Sequence, residues 1–295
     1  MKGGSLNLSP GDVLDNEFRI ISFPKKGGTS YVYRAIRLSD RKEVVIKVLN
    51  EKFKNDKAQV LRFVHSEEIG LKLSHPRIIK YFPHPENQNF RYQVLEYVNG
   101  ESLREKLVKY KKFSWRKAVN MALKILDAIN YIHSKGIIHL DLKPENIIVL
   151  ENGDIKIIDF GISYDPKAKT SPWMDALKIS GTPGYYPPER LEGAISKSVD
   201  IYSIGVILYE MLSGGIPDEA DIPDDVPKEI RKVVKRAIDL TPGKRFKSCS
   251  EFATALVKAA RKGKKYRINY FLIFLLILIG IFIYIMVKIA FILRE

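Results

Sequence analysis

Two short polar segments in the middle of the chain decide how the sequence is interpreted. Residues 139–146 read His-Leu-Asp-Leu-Lys-Pro-Glu-Asn, and residues 159–161 read Asp-Phe-Gly. The second segment starts thirteen positions after Asn146, and the hairpin signal Asn152-Gly153 and the largely apolar stretch 155–158 lie between them. Carboxylates, an amide and a lysine in this order can hold a metal ion, neutralise a phosphate and accept a proton.

A second group of residues, farther upstream, suits the binding of phosphates. Residues 44–47 read Val-Val-Ile-Lys and belong to a β-branched run that predicts a strand. Residues 25–32 read Lys-Lys-Gly-Gly-Thr-Ser-Tyr-Val, where Gly27 and Gly28 allow the backbone to approach phosphates closely. Taken alone, this stretch fits an ordinary hairpin better.

The order of predicted elements indicates an α+β fold with two lobes and a cleft between them. Up to about residue 100 the patterns predict strands, including 44–49 and 89–98, and one helix over 59–73. After Gly100 the patterns are mainly helical. The predicted helices there are 116–134, 200–212, 227–240 and 249–260.

Together these segments resemble the eukaryotic-type protein Ser/Thr kinases, of the membrane-anchored prokaryotic kind. The resemblance covers about residues 18–260 and implies a small β-rich N-lobe and a larger helical C-lobe. It implies that Asp141 accepts the hydrogen bond of the substrate hydroxyl and that Lys143, the Ser/Thr-class residue, stabilises the transferring phosphoryl group. It also implies that Asn146 and Asp159 hold Mg²⁺, with ATP as co-substrate and proteins as substrates.

The same resemblance implies which residues surround ATP. Lys47 would pair with the α and β phosphates, and a glutamate on the helix 59–73 would pair with Lys47. Val32 and Val45 would cover one face of adenine and Ile148 the other, and the segment containing Glu96 and Val98 would bind its edge. The full implied set is Gly27, Gly28, Val32, Val45, Lys47, Glu67, Glu96, Val98 and Ile148.

Residues farther along the chain resemble structural parts of the same family. Residues 181–189 resemble the end of an activation segment, the stretch that begins at Asp159. By resemblance, Glu189 pairs with Arg245, and Asp200 braces the loop 139–146.

The sequence departs from the family pattern in three places, and the first of these, together with the weak glycine stretch 25–32, leaves a second interpretation open. The usual spacing puts Ser66 where the glutamate partner of Lys47 should stand; Glu67 is the chosen partner, while Glu68 or no partner stays open. One residue turns a helix by about 100°. The stretch 215–227 is short, and Leu140 replaces a common arginine. The alternative is a nucleotide-binding pseudokinase that acts as a membrane scaffold or sensor; a small-molecule kinase fits the 181–189 segment poorly.

Leu140 also bears on regulation. In relatives, an arginine at this position binds a phosphate on the activation segment, and leucine offers no such charge. We therefore expect activity without that phosphorylation, with control from the N-lobe, from membrane proximity or from a homodimer, which is a candidate assembly.

The C-terminal part predicts a membrane anchor. Residues 270–287 carry no charge and, as a helix, would extend roughly 27 Å, close to the thickness of a bilayer core. Lys and Arg crowd positions 258–267, so the preceding part is expected to be cytoplasmic in a single-pass protein. The predicted division is a lead over 1–17, a kinase domain over 18–260, a basic collar over 261–269 and a transmembrane helix over 270–293.

Charge and cysteine usage narrow the environment further. The formal net charge is +15, and a basic cluster beside an apolar run favours membrane lipid rather than nucleic acid as its partner. A buried core helix is the alternative for 270–287. Cys249 is the only cysteine, which excludes an internal disulfide and suits a reducing compartment.

Overall fold

An antiparallel sheet forms most of the N-terminal lobe. The computed structural model describes residues 8–87, 90–170, 182–262, 274–275 and 278–282. The sheet order is β1-β2-β4-β5-β7-β6, with β3 paired to β4. Its strands are β1 Val13–Leu14, β2 Phe18–Ile20, β3 Lys25–Lys26, β4 Ser30–Arg37, β5 Glu43–Leu49, β6 Tyr81–Phe82 and β7 Tyr92–Glu96.

One helix, α1 (Lys57–Lys72), packs against this sheet. Asp56 begins it, because its side chain accepts hydrogen bonds from the backbone amides of Ala58 and Gln59. Near its C-terminal end Gly70 lies against the ring of Tyr81, where an added Cβ would be 2.2 Å from a ring carbon. A glycine is therefore needed for the close approach of α1 to β6.

The C-terminal lobe is helical around one long buried helix. Its helices are α2 Leu103–Tyr110, α3 Trp115–Ser134, α4 Lys197–Ser213, α5 Lys228–Ala237 and α6, residues 249–262. Thirteen of the seventeen residues of α4 are buried, so α4 is covered on all sides. A small sheet, β8 (Gly100–Ser102), β9 (Ile147–Leu150) and β10 (Ile155–Ile157), carries the polar segments at its ends.

The two-lobed α+β prediction is confirmed. The predicted hairpin is present, because β9 and β10 pair antiparallel and Gly153 has a φ of 75°. The helix predicted over 59–73 begins two residues earlier, since Asp56 provides the N-cap.

The predicted transmembrane helix over 270–293 lies mostly outside the described residues, as do residues 263–269 of the collar. Within the part of the chain that the structure describes, no helix is both long and apolar enough to cross a membrane. Residues 274–275 and 278–282 are helical, and Phe274 and Phe282 are 61% and 65% exposed.

Candidate active site

The loop 139–146, here called the catalytic loop, is held in place by hydrogen bonds to Asp200 of the buried helix α4. The Asp200 carboxylate accepts hydrogen bonds from the backbone amides of His139 and Leu140, both at 2.9 Å, and from His133 at 2.8 Å. Burial alone would raise the pKa of Asp200, but these hydrogen bonds outweigh it and lower the pKa. The bracing role predicted for Asp200 is confirmed.

Asp141 lies at the centre of a small polar cluster. Its carboxylate is 3.1 Å from Lys143 Nζ and accepts a 3.3 Å hydrogen bond from Thr182 Oγ1. Lys143 Nζ also donates to Thr182 Oγ1 at 2.7 Å, and the Asn146 amide donates to the Asp141 carbonyl oxygen at 2.8 Å. Leu140 and Asp159 both have a φ of 66°, a strained backbone conformation that is common at functional sites.

Asp159, Lys47, Asp141 and Lys143 share one cavity of about 230 Å³ in the cleft between the lobes. The Lys47 ammonium lowers the pKa of Asp159, a Coulombic effect that exceeds the opposing effect of burial. Phe160 is fully buried between His139 and Tyr81, which fixes the segment 159–161 against both lobes. The structure therefore brings together four of the predicted site residues.

The register of α1 differs from the one on which the Glu67 prediction depends. The residues of α1 that line the cleft cavity are Gln59, Arg62, Phe63 and Ser66, and Glu67 is not among them. The Glu67 carboxylate points elsewhere and is 2.8 Å from His84 Nε2. Among the described residues Lys47 forms no ion pair, and its Nζ is 5.9 Å from the centre of the Phe63 ring. In this conformation the expected Lys47–Glu67 pair is not formed, because one residue turns the side chain out of the cleft.

Glu68, the other candidate partner, contacts the activation segment instead. Its carboxylate accepts hydrogen bonds from the backbone amide of Lys169 at 2.6 Å and from the Thr170 hydroxyl at 2.9 Å. His65 also contacts the Thr170 hydroxyl, and its Nε2 is 2.6 Å from the Ser163 carbonyl oxygen. Lys72 bridges Glu68 and Asp165, at 3.2 and 3.0 Å.

Most of the residues predicted for adenine and phosphate binding lie on β4, β5 and β9 or in the segments that adjoin β3 and β7. Gly27 and Gly28 form the turn between β3 and β4, and the Gly27 amide donates to the Ser30 carbonyl. Val32 lies opposite Lys47 in the β4–β5 pair, and Val45 and Val98 pack against the core cluster that extends through both lobes. The Glu96 side chain is held by Lys156 at 2.6 Å, and Ile148 lies in β9. Their contacts with ATP stay predictions.

The donor groups fit a magnesium ion bound together with phosphates. Mg²⁺ prefers carboxylate and amide oxygens and takes only one or two of them from the protein in phosphate-binding sites. The Asp159 carboxylate and the Asn146 amide provide such oxygens, and the amide nitrogen of Asn146 is already engaged by Asp141. No group of three or more His, Cys, Asp or Glu side chains forms a metal site within the described ranges.

The end of the activation segment is attached to the C-lobe by a buried ion pair. Arg245 is 1% exposed and forms two hydrogen bonds with the Glu189 carboxylate, at 2.6 and 3.1 Å. This pair was predicted and is confirmed.

Four residues of α1 have roles at the site that the sequence did not predict. They are His65, Ser66, Glu68 and Lys72, and each role depends on which face of α1 points to the cleft.

Comparisons with known proteins agree with this geometry. The family model described as protein kinase domain matches residues 26–268. A probable serine/threonine-protein kinase of Clostridium acetobutylicum is 30% identical over 266 residues, which cover 83% of this chain and 40% of the relative. PknA, a serine/threonine-protein kinase of Mycobacterium tuberculosis, is 30% identical over 282 residues, or 88% of this chain and 65% of PknA.

A third relative, the serine/threonine-protein kinase PrkC of Bacillus subtilis, is 28% identical over 261 residues. The chain thus spans 40% of the length of the Clostridium and Bacillus relatives. The family model covers most of the chain, including the catalytic loop, the cleft and the buried Arg245–Glu189 pair. The chain belongs to the protein kinase family.

Proposed function

We propose that this chain is an ATP- and Mg²⁺-dependent protein serine/threonine kinase, held at the cytoplasmic face of a membrane by its C-terminal segment. One observation carries the catalytic part: Lys47, Asp141, Lys143 and Asp159 line a single cavity between the lobes. The names of the relatives support serine and threonine as acceptors.

The residues present divide the work of phosphoryl transfer among them. Asp141 lies ready to accept the proton of the acceptor hydroxyl, whose oxygen bonds to the γ-phosphorus as the bond to the β–γ bridging oxygen breaks and ADP leaves. Lys143, 3.1 Å from Asp141, stabilises the negative charge on the transferring group. Asn146 and Asp159 would hold Mg²⁺, which neutralises phosphate charge when it is bound.

Lys47 and Asp159 form no ion pair within contact distance, but they interact electrostatically across the cleft. The Lys47 ammonium keeps Asp159 ionised, which suits a metal ligand. Because α1 presents Ser66 here, Lys47 has no carboxylate from that helix, and its orientation depends on phosphates and on Asp159.

That same feature favours the second candidate, a nucleotide-binding pseudokinase that acts as a scaffold. The Glu67 carboxylate is occupied by His84 and the Glu68 carboxylate by residues 169–170, so neither is free to pair with Lys47 in this conformation. The presence of Asp141, Asn146 and Asp159 supports an active kinase. Measurement of phosphoryl transfer distinguishes an active kinase from a pseudokinase.

The decisive experiment is transfer of labelled γ-phosphate by the full chain to itself and to a general protein acceptor. We expect phosphoserine and phosphothreonine from the wild type. We expect Asp141→Asn and Lys47→Met to lose at least about a hundredfold in rate, because each removes preorganised charge at the reacting groups.

Lys52→Met is the matched control for Lys47→Met, since Lys52 is exposed and lies outside the cleft cavity. Its transfer rate should equal that of the wild type. Circular dichroism checks that each variant is folded. A wild-type rate no higher than that of Asp141→Asn would favour the pseudokinase.

The membrane part of the proposal is supported by the sequence and by exposure. An uncharged run over 270–287 follows a basic segment, and Phe274 and Phe282 in that run are mostly exposed. Large apolar side chains on an exposed helix need a nonpolar environment, which a bilayer supplies.

A further inference from the structure

A basic groove lies between the last two helices of the C-lobe and shares no residue with the cleft. Its volume is about 310 Å³, and its cationic lining consists of Lys232 and Arg236 from α5 and Lys258 and Lys262 from α6. Each helix contributes its two cations at positions i and i+4, so each pair lies on one helical face. We call this feature the α5–α6 groove.

The cations of the α5–α6 groove outnumber the acids near them. Lys232 is 3.3 Å from Glu229, and Arg236 is 2.7 Å from Glu251. Over the described ranges, Lys258 and Lys262 have no carboxylate within ion-pair distance. The surrounding surface adds further exposed cations at Lys228, Lys235, Lys244, Lys247 and Arg261.

These lysines are not needed for packing. The apolar side of α5, formed by Ile230, Val234 and Ala237, is already buried in the core. Arg236 has a structural role, because its guanidinium lies over the Phe246 ring at 4.1 Å. Lys232, Lys258 and Lys262 are exposed and hold no buried contact. A surface of this charge therefore suits an external polyanion.

The chain itself brings this groove near a bilayer. Tyr270, the first residue of the uncharged run, follows Lys262 by eight positions, so it lies at most about 29 Å away in any conformation. Lys264, Lys265 and Arg267 lie between them in the sequence. A nucleic acid is less suited to the groove, because its aromatic residue, Phe246, is 2% exposed and offers no stacking surface.

We propose that the α5–α6 groove binds the headgroups of anionic phospholipids and holds the C-lobe against the bilayer surface. The inference rests on the proposed membrane anchor. It adds a defined orientation, in which α5 and α6 face the lipid. Clustered lysines beside an anchor gain affinity for anionic lipid additively, and the gain is lost at high salt.

The test uses the full chain mixed with vesicles of phosphatidylcholine alone or with about one third phosphatidylglycerol. A donor dye on Leu240→Cys reports energy transfer to acceptor dyes on lipid headgroups. Leu240 is exposed and outside the groove, and the native Cys249 is buried, so it does not react. We expect stronger energy transfer on the anionic vesicles, and its loss at about 1 M salt.

The groove variant is the triple substitution Lys232→Gln, Lys258→Gln and Lys262→Gln. It should lower the ratio of docked to undocked domain by about a hundredfold on anionic vesicles. The triple substitution of the same lysines by arginine should retain docking. The matched control, which changes net charge equally, is Lys57→Gln, Lys109→Gln and Lys112→Gln, and it should behave as the wild type.

Flotation with the vesicles separates this proposal from the anchor. If the chain floats with both compositions but energy transfer is equal on both, or the groove variant equals its control, the groove does not bind lipid. If the chain floats only with anionic vesicles and the groove variant does not float, lipid binding by the groove is supported and the membrane anchor is excluded. If the chain floats with neither kind of vesicle, both the anchor and lipid binding by the groove are excluded. Binding of a short RNA that the groove variant loses, without a lipid response, would also overturn the proposal.

Discussion

Ser66 occupies a position of α1 that joins three parts of the molecule. Its hydroxyl accepts a hydrogen bond from the Phe160 amide at 3.2 Å and is 3.0 Å from the Tyr81 hydroxyl. Ser66 is 1% exposed, so these bonds form away from water. In place of a carboxylate for Lys47, α1 therefore offers a small polar group that fixes the backbone next to Asp159.

We predict that Ser66→Ala lowers the free energy of unfolding by about 1–2 kcal/mol, because two buried polar partners lose their hydrogen bond. Urea unfolding measures the change. Ser134→Ala is the control, since Ser134 is exposed and its hydroxyl donates a local hydrogen bond to the Tyr131 carbonyl oxygen. Equal stabilities for the two variants would mean that the Ser66 bonds contribute nothing.

His84 gives the N-lobe a pH-dependent contact. Burial alone would lower the pKa of His84, but the hydrogen bonds to Glu67 and to the Pro85 carbonyl oxygen, together with the negative charges of Glu67 and Asp15, outweigh burial and raise the pKa above the usual 6.5. A raised pKa in the folded state stabilises the protein fully below pH 6.5 and loses that contribution as the pH rises through the folded-state value.

We therefore predict that wild-type stability falls relative to Glu67→Gln as the pH increases from about 6 to 9. Chemical unfolding of both proteins at several pH values measures the difference. If the stability difference between the two proteins is constant across this pH range, Glu67 does not raise the pKa of His84.

The limit of sequence reasoning is clearest at these residues. Asp141, Lys143 and Asp159 could be placed together because they lie on one short, rigid hairpin and its flanking loop. The choice among Ser66, Glu67 and Glu68 could not be made, because it depends on how α1 rotates when Gly70 packs on Tyr81. A rotation of about 100° per residue exchanges the groups that reach the cleft.

Among the secondary-structure elements, α1 is hydrogen-bonded to the first part of the activation segment, at residues 169–170. The Glu68 carboxylate accepts hydrogen bonds from the backbone amides of residues 169 and 170 and from the Thr170 hydroxyl. Burial alone would raise the pKa of Glu68, but the hydrogen bond from the Lys169 amide and those from Thr170 and Lys72 lower it to about 2. A phosphate on Thr170 would meet this carboxylate, so like charges would separate the two elements.

We predict that Glu68→Gln increases amide hydrogen exchange of residues 162–170 by at least about tenfold, because charge-assisted hydrogen bonds become weaker. Mass spectrometry of peptides from this region measures the effect. Glu67→Gln, one residue away on a different face, is the matched control. Equal exchange in both variants would show that Glu68 does not hold the segment.

The element pattern of this chain was largely predictable, whereas contacts between elements were predicted only where the family resemblance supplied them, as for Glu189 with Arg245. The helices of the C-lobe follow apolar periodicity, which depends on local sequence alone. The contact of His65 with Thr170 joins residues 105 positions apart and has no local signal. The α5–α6 groove was equally invisible, since it appears only when two separate helices place their lysines side by side.

At the scale of the whole molecule, the chain divides into a domain with a charged surface and a terminal apolar run. We predict that a tag after residue 295 is reached by an impermeant reagent only from the non-cytoplasmic side, while protease reaches the kinase domain from the cytoplasm. The double substitution Leu278→Asp and Phe282→Asp is the control, since each charge in a membrane centre costs about 2.5–3.5 kcal/mol. A wild-type tag that is reached from the cytoplasm would exclude a membrane-spanning run.

The burial of α4 has a consequence for the order in which the two lobes fold during synthesis. The N-lobe sheet is complete once residue 96 has left the ribosome, so that lobe can close early in synthesis. The interior of the C-lobe is completed only when α4, residues 197–213, is made and is enclosed by α3 and α5. Each newly made chain therefore leaves part of the apolar side of α3 uncovered for about eighty residues of translation, several seconds at typical rates.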